Sequence, residues 1–461
     1  MNRKNFSSLN LNPALIENLA TLGYKEMTPI QAQSLPKILE GKDVVAQAKT
    51  GSGKTAAFGL GLLNNLQVKR FRVQSLVLCP TRELADQVAS EIRKLARSIH
   101  NIKVLTLCGG APIGPQIGSL EHGAHIIVGT PGRLVDHLNK KRLNLDDLNT
   151  LVLDEADRML EMGFQPALDL IFSLCPKQRQ TLLFSATFPE QIMPITKTIM
   201  NDPLTVKVTS THDDSVIKQH FYKIKDNNQR LKAVKRLLLN NNPESSAIFC
   251  NTKIETNELA NELKMQGFST QALHGDMEQR DRDLTLIKFA NKSSSVLVAT
   301  DVAARGLDIE NMDLVINYHL SHDPEVHIHR IGRTGRAGSK GLACTIVLER
   351  EAHKIRKLEE LLNQKIELEE LPRATIQDNI ISKPKMVTLQ IDGGKKQKVR
   401  PGDILGALTA KDGITGAQVG KINLQHNRAF VAVSREVVDT ALKKLSLGKL
   451  KGRAFKVRRI S

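Results

Sequence analysis

Two short stretches, AKTGSGKT at residues 48–55 and LVLDEAD at 151–157, hold residue types that together suit the handling of a nucleoside triphosphate. In the first, Gly51 and Gly53 let backbone N–H groups turn inward around phosphates. The helix expected after them aims its positive dipole end at the same anion. Lys54 is placed to reach the β- and γ-phosphates, and the Thr55 hydroxyl to ligate Mg²⁺. The stretch departs from the usual G-x-x-x-x-G-K-[ST] pattern at its first position, Ala48. There, at a strand end, a methyl group leaves the phosphate cradle intact. In the second stretch an apolar strand ends in acid. Asp154 suits Mg²⁺, partly through water, and Glu155 suits orienting or deprotonating an attacking water. An acidic strand end that merely caps the next helix is the plainer alternative.

The elements that must position these residues are legible as alternating patterns. SLVLCP, HIIVGT, TLVLDE and TLLFSAT read as buried strands, each followed by a helical pattern such as TRELADQVASEIRKLA. Continuous apolar strands separated by helices indicate a parallel sheet covered on both faces. The rhythm restarts after about residue 216 with SSAIFCN, STQALHG, SVLVATD and DLVINYH. A polar stretch, PRATIQDNIISKPK, then leads into a β-α-β-β-α-β tail. The expected fold is α/β: two tandem parallel-sheet domains, 1–209 and 216–372, and an RRM-like α+β domain, 385–461.

Charge separates the tail from the rest. Residues 384–461 hold 17 Lys/Arg and 5 Asp/Glu, so they supply +12 of the chain's net +18. A compact basic unit of this kind points to a polyanion, most often nucleic acid. No run approaches the ~20 apolar residues of a membrane span, and the N-terminus has no signal-type apolar core. The five cysteines form no CxxC pair, which argues against a zinc site and fits a reducing cytoplasm.

Asp154-Glu155-Ala156-Asp157 spells the signature of the DEAD-box RNA helicases, whose phosphate loop runs A-x-T-G-x-G-K-T, as here. PTRELA (80–85), Gly109-Gly110, TPGR (130–133) and SAT (185–187) occur in that family's order. GYKEMTPIQ (23–31) is similar to its adenine-reading segment, with Phe6 upstream and Met27 in place of a usual Pro. The resemblance implies that the two tandem parallel-sheet domains are RecA-like, with an ATP site of Tyr24, Gln31, Gly51, Ser52, Gly53, Lys54 and Thr55 and Mg²⁺ on Thr55 and Asp154. A Gln amide at position 31 can donate to and accept from adenine's N6/N7 edge at once.

In the second unit, HRIGRTGRAG (329–338) places Arg330, Arg333 and Arg336 at a spacing of three. Read alone, this is a basic loop of open role. The resemblance implies that Arg333 and Arg336 act as arginine fingers on ATP held by the first unit, with His329 coupling to the DEAD segment. ATDVAARGLD (299–308) matches a further family motif, with Asp308 near the ribose and Thr300 near RNA phosphate. RNA-backbone candidates are Thr81, Arg82, Gly110, Thr130 and Arg133 in one unit and Gln279, Arg282, Thr300 and Arg305 in the other. Backbone amides, hydroxyls and Arg suit phosphates and 2′-OH groups, so this surface is expected to ignore base sequence.

The tail resembles the DbpA-type RNA-binding domain of bacterial DEAD-box helicases, which implies docking on structured 23S rRNA in pre-50S particles. HNRAFVAV (426–433) retains one aromatic of the usual RRM ribonucleoprotein stretch, Phe430, and the tail's other aromatic is Phe455. Base stacking is thus thinly provided for, and Lys/Arg recognition of a folded RNA is expected. Arg428, Phe430, Lys451 and Arg453 are the candidates, with Lys395, Lys396, Lys398 and Arg458 beside them. The function expected is an ATP-dependent RNA helicase with ATP and Mg²⁺ as cofactors, RNA as partner and no obligate protein partner. A DNA helicase or translocase, and an RNA-binding assembly factor with ATP as a clamp, remain alternatives.

Overall fold

A computed structural model describes residues 5–48, 51–185, 187, 192–208, 217–304, 312–321, 323–335, 341–373 and 381–460. These residues form two compact units, one ending at Val208 and the other starting at Ile217.

The first unit is a parallel sheet of seven strands: β1 (Val44–Gln47), β2 (Ser75–Leu78), β3 (Val104–Leu107), β4 (Ile126–Gly129), β5 (Thr150–Asp154), β6 (Gln180–Ser185) and β7 (Leu204–Lys207). Their spatial order is β3-β4-β2-β5-β6-β1-β7. Successive side chains of a strand point to opposite faces. Val44 and Ala46 therefore join one apolar cluster while Val45 joins the other. Helices seal both faces. In Arg82–Leu95 the residues Leu84, Ala85, Val88, Ala89, Ile92 and Leu95 are buried at helical spacing. Each large aliphatic side chain so buried stabilises the fold by about 1.5–3 kcal/mol. Gly61 permits the close approach of helices Pro29–Leu39 and Lys54–Asn64, since a Cβ there would lie 2.3 Å from Ile38 Cγ2.

The second unit repeats the design with β8 (Ile217–Ile224), β9 (Ser246–Cys250), β10 (Thr270–Leu273), β11 (Val296–Thr300), β12 (Leu314–Asn317), β13 (Gly341–Leu348) and β14 (Leu368–Glu369). The order β10-β11-β9-β12-β13-β8-β14 is the first sheet's order again when each is numbered from its own first strand. The sequence reading does not single out β3, β7, β8, β13 or β14. In β8, IKQHFYKI mixes Lys218, Gln219, His220 and Lys223 among its apolar residues, and the two-residue β14 exists only through its pairing with Phe221 and Tyr222.

The tail, in the same unit, is an antiparallel sheet of β15 (Met386–Ile391), β16 (Val419–Leu424), β17 (Ala429–Ser434) and β18 (Val457–Ile460), ordered β16-β17-β15-β18. The expected α/β plan with an RRM-like α+β tail is thus the observed one. Leu389, Ile391, Ala429, Val431 and Val433 face the tail helices Pro401–Thr409 and Val438–Leu447. The opposite sheet face carries Thr388, Gln390, Phe430 and Ala432, all buried, and in its edge strand the exposed Arg458. The preceding parallel-sheet lobe meets this face at Thr388: Asn291 Nδ2 donates to Thr388 Oγ1 at 3.2 Å, and the Ser293 and Thr388 hydroxyls lie 2.7 Å apart. At its margin Lys385 pairs with Glu244 at 2.5 Å. Among the described residues no helix is long and apolar enough to cross a membrane.

Candidate functional site

In a parallel sheet every strand ends on the same edge, and ligands gather outside those carboxyl ends. The first sheet divides this edge in two. Neighbouring strands β5, β6 and β1 end in the DEAD segment, in Ser185 and in the phosphate loop. Neighbouring strands β3, β4 and β2 end in Gly109-Gly110, Thr130 and Thr81.

On the half that bears the Gly51–Lys54 turn, Gly53 takes φ 94° as N-cap of the helix Lys54–Asn64, and Gly51 takes φ 79°. Thr55 comes next in that helix's first turn, half-buried. Lys54 is buried, and its ammonium donates to Ala48 O at 2.8 Å. Thr50 lies outside the described residues. The Ser52 hydroxyl is buried without a hydrogen-bond partner among the described residues, as is that of Thr28. Unpaired donors inside a turn of inward-facing amides suit phosphate oxygens.

Asp154 is 3% exposed. Burial pushes its carboxyl up to about 7, against the pull of Lys54 and with the push of Glu155. The Asp154 carboxylate is a hard-oxygen donor of the kind Mg²⁺ takes, and Thr55, the residue after the lysine that acts on Asp154, would add a hydroxyl, with substrate phosphates completing the set. Glu155 sits at φ 52°, a left-handed conformation rare for a non-glycine residue, where β5 breaks and the helix Ala156–Glu161 begins. Asp157 accepts from Thr187 N at 3.0 Å and from Thr187 Oγ1 at 2.7 Å. Burial raises its pKa, but these hydrogen bonds and that of Ser185 outweigh burial and hold it below the usual carboxylate range. The DEAD and SAT segments are therefore tied together through Asp157, a link the sequence reading did not assign.

Gln31 is fully buried. Its Oε1 accepts from Thr28 N at 2.9 Å and its Nε2 donates to Gly53 O at 3.1 Å. One lone pair and one N–H of the amide stay available, enough for a bidentate contact to a base edge. A Cβ on Gly53 would meet Gln31 Nε2 at 2.5 Å, so the glycine is required by its φ and by this approach. Tyr24 donates to Glu91 Oε1 at 2.7 Å and meets the buried Phe6 edge-on at 6.1 Å.

On the other half, Thr81 caps Arg82–Leu95 by accepting from Leu84 N, and Arg82 pairs with Asp86 at 3.6 Å. Thr130 Oγ1 accepts from Gly109 N at 3.3 Å, and Arg133 Nη1 donates to Ala111 O at 3.2 Å. Gly110 is exposed at φ 73°. The sequence-predicted residues of this lobe thus come together on adjacent strand ends.

In the second lobe Gln279 opens the helix Gln279–Ala290 and donates to Asp283 at 2.8 Å. Arg282 donates to His274 O at 3.2 Å, and Thr300 closes β11, buried. Arg333 is 6% exposed, just past the helix Pro324–Ile331. Arg330 is a structural clamp: fully buried, it grips Asp301 through two bonds of 2.6 and 2.7 Å and donates to His319 O. Arg305, Asp308 and Arg336 lie outside the described residues.

In the tail, Lys395 N and Lys396 N donate to Gln425 O and His426 O, which sets the exposed Lys395, Lys396 and Lys398 beside the hairpin bearing Arg428. A tight turn from Leu450 to Arg453 presents Lys451 and Arg453, with Lys451 3.5 Å from Asp403. Phe430 corrects the expectation made of it. It is 2% exposed, on the same sheet face as Thr388, so its ring is not presented for base stacking.

Comparison with known proteins agrees with this layout. Residues 28–195 match the DEAD/DEAH box helicase family, 229–338 the helicase conserved C-terminal domain and 388–459 the DbpA RNA binding domain. The chain is 53% identical to the ATP-dependent RNA helicase DbpA of Escherichia coli over 98% of its length and 99% of that relative's. It is 42% identical to the DEAD-box ATP-dependent RNA helicase CshA of Bacillus cereus, over 80% of this chain and 70% of that one. Among solved structures, Saccharomyces cerevisiae Dbp5 bound to RNA and ADP BeF3 superposes with a TM-score of 0.73 at 31% identity, covering 80% of this chain and 96% of the other. The chain belongs to the DEAD-box ATP-dependent RNA helicases, RNA-dependent ATPases, and to the branch whose members carry a DbpA RNA binding domain.

Proposed function

We propose that this helicase opens short RNA duplexes locally on 23S rRNA during assembly of the large ribosomal subunit, with its basic tail choosing the site. The observation that carries the reading is the basic loop end of the tail. Lys395, Lys396, Lys398 and Arg428 are brought together there by backbone bonds, while the Phe430 ring is buried. Cations without stacking rings suit the phosphates of a folded RNA better than splayed bases. Lys451 and Arg453 in the Leu450–Arg453 turn and the exposed Arg458 in β18 are further candidates for RNA phosphates.

In this reading the domains run 1–209, 216–372 and 385–461, and the chain is cytoplasmic. Tyr24, Gln31, Gly51, Ser52, Gly53, Lys54 and Thr55 hold ATP, and Asp308 meets the ribose. Thr55 and Asp154 hold Mg²⁺, partly through water. The ion would neutralise charge between the β- and γ-phosphates. Glu155 orients the attacking water and takes its proton. Arg333 and Arg336 come from the second lobe to the γ-phosphate, where such fingers contribute ~10³–10⁵ in rate. Thr81, Arg82, Gly110, Thr130 and Arg133 take RNA backbone on the first lobe, and Gln279, Arg282, Thr300 and Arg305 on the second.

The test compares ATPase rates with 23S rRNA, unrelated RNA and DNA, for the full chain and for a quadruple variant K395A/K396A/K398A/R428A. The reading predicts a preference for 23S rRNA that the variant loses while unrelated RNA stimulates it as before. Equal stimulation by DNA, or a preference that survives in the variant, contradicts it.

A further inference from the structure

The loop that carries Gly109 and Gly110 is held by more than its own turn. Gln116, on the helix Ile113–Glu121, is 6% exposed, and its Nε2 donates to Cys108 O at 3.1 Å. Its Oε1 lies 3.3 Å from Nε2 of His137, fully buried on the helix Pro131–Asn139 that the TPGR segment opens.

The network fixes both groups' orientation. With the Gln116 amide reversed, its oxygen would face the Cys108 carbonyl, acceptor against acceptor. With Nε2 of Gln116 donating, Oε1 must accept, so His137 carries its proton on Nε2. His137 Nδ1 is then a bare acceptor, and it has no hydrogen-bond partner among the described residues. Burial holds the imidazole below its ordinary range, with Arg133, Arg142 and Lys140 adding to that against Asp136, so the neutral form is the resident one.

We propose that Gln116 and His137 are a positioning pair that fixes the Gly109-Gly110 loop against the TPGR helix, making one preorganised binding unit for the RNA backbone. The inference rests on the reading of Gly110, Thr130 and Arg133 as RNA contacts. A backbone amide can serve a phosphate only if the loop presents it before binding, and a loop already ordered loses less entropy on association. Side chains from outside the loop hold it at three points: Gln116 on Cys108 O, Thr130 on Gly109 N and Arg133 on Ala111 O. Thr130 and Arg133 are candidates for RNA contact themselves. Gln116 and His137 are buried away from it, and so act only through the loop.

The experiment measures, in the full chain, the RNA concentration for half-maximal ATPase, the turnover at saturating RNA, and the half-saturating ATP. Gln116→Met keeps length and apolar volume but removes both polar atoms. It is expected to raise the half-saturating RNA about tenfold, as for a buried carbonyl left unpaired. Saturated turnover and the ATP requirement should stay within about twofold, the signature of a lost binding contact. His137→Phe should act the same way. His137→Gln, which restores an amide donor toward Gln116, should return most of the affinity, a recovery that a mere packing role would not give. Thermal unfolding establishes that each variant is folded.

An unchanged RNA requirement in folded Gln116→Met, alongside a raised one in Arg133→Ala, overturns the positioning role and leaves the RNA surface standing. An unchanged requirement in Arg133→Ala as well overturns the RNA reading of this edge and the pair's role with it. If Gln116→Met does not fold, the His137→Phe and His137→Gln pair decides: equal affinities for the two overturn the proposal.

Discussion

The two parallel sheets share one strand order and differ in the loop that leaves their first strand. In the first sheet β1 runs into the phosphate loop, with Gly53 in a left-handed turn and Lys54 opening the next helix. In the second, β8 runs through residues 225–228, KDNN, into the helix Gln229–Asn241 with no glycine at all. Each of these helices has a buried cation in its first turn, and the two cations have opposite fates. Arg230 donates to Tyr318 O and Ile346 O and pairs with Glu351 at 3.1 Å, a fully internal arrangement. Lys54 has among the described residues a single backbone acceptor, Ala48 O, next to an acid whose pKa burial has raised. One fold thus occurs once with a glycine-bearing loop and a nearly unpaired lysine after its first strand and once without them, and the difference lies in a few strand-end residues.

That contrast can be broken at its two cations first. Lys54→Ala is expected to reduce RNA-stimulated ATP hydrolysis by at least about 10²-fold, with a melting temperature near that of the parent. Arg230→Ala should do the reverse. It leaves the buried Glu351 with Lys354, 3.5 Å away, as its remaining cation and two carbonyls without their donor, so stability should fall by about 3 kcal/mol in denaturant titration. ATP affinity of the first lobe should be kept. Loss of stability in Lys54→Ala, or an innocuous Arg230→Ala, would contradict the assignment.

Gly53→Ala comes next. The methyl meets both a φ of 94° and Gln31 Nε2, so fluorescent-nucleotide affinity should fall about tenfold or more. A glycine-to-alanine change in the 225–228 turn has no counterpart, since that turn contains none.

A pH test sharpens the comparison further. Burial puts the Asp154 carboxyl at about 7 in the nucleotide-free fold, above its unfolded value. The fold therefore binds that proton more tightly than the unfolded chain does. The associated stability is complete below the unfolded pKa and is lost as pH rises through about 7. Asp154→Asn, which cannot ionise, should raise the melting temperature of the nucleotide-free protein more at about pH 8 than at about pH 5. An equal shift at both would mean that the carboxyl is not held up by burial.

The smallest effect is expected in the tail. Arg428→Ala should lower the slope of log affinity for rRNA against log salt by about 1. Phe430→Leu should leave that slope unchanged, because its ring is buried and uncharged.

Much of this architecture was legible in the sequence because it depends on local pattern. Apolar runs such as TLVLD marked buried parallel strands, and Gly51, Gly53, Lys54 and Asp154 stood out by type and spacing as residues that the fold brings to one sheet edge. The features that were not legible depend on tertiary partners. Nothing local distinguishes Arg330, clamped on Asp301, from Arg333 three residues later. Phe430 stood at an aromatic position of an RRM-like strand, and only the folded chain reveals that its ring is buried. Gln31 was expected at adenine, and its hold on Gly53 O appears only once two helices are seen to meet at Gly61. The two-residue β14 has no intrinsic strand signal and forms on the edge offered by β8.

The most direct test of the account is the stoichiometry and location of nucleotide binding, measured by equilibrium titration of the full chain with a fluorescent ATP analogue. The account predicts one nucleotide per chain, lost or greatly weakened in Lys54→Ala and retained in a folded Arg230→Lys. Two nucleotides per chain, or undiminished binding in Lys54→Ala, would contradict the claim that only the first of the two matching sheets carries the site.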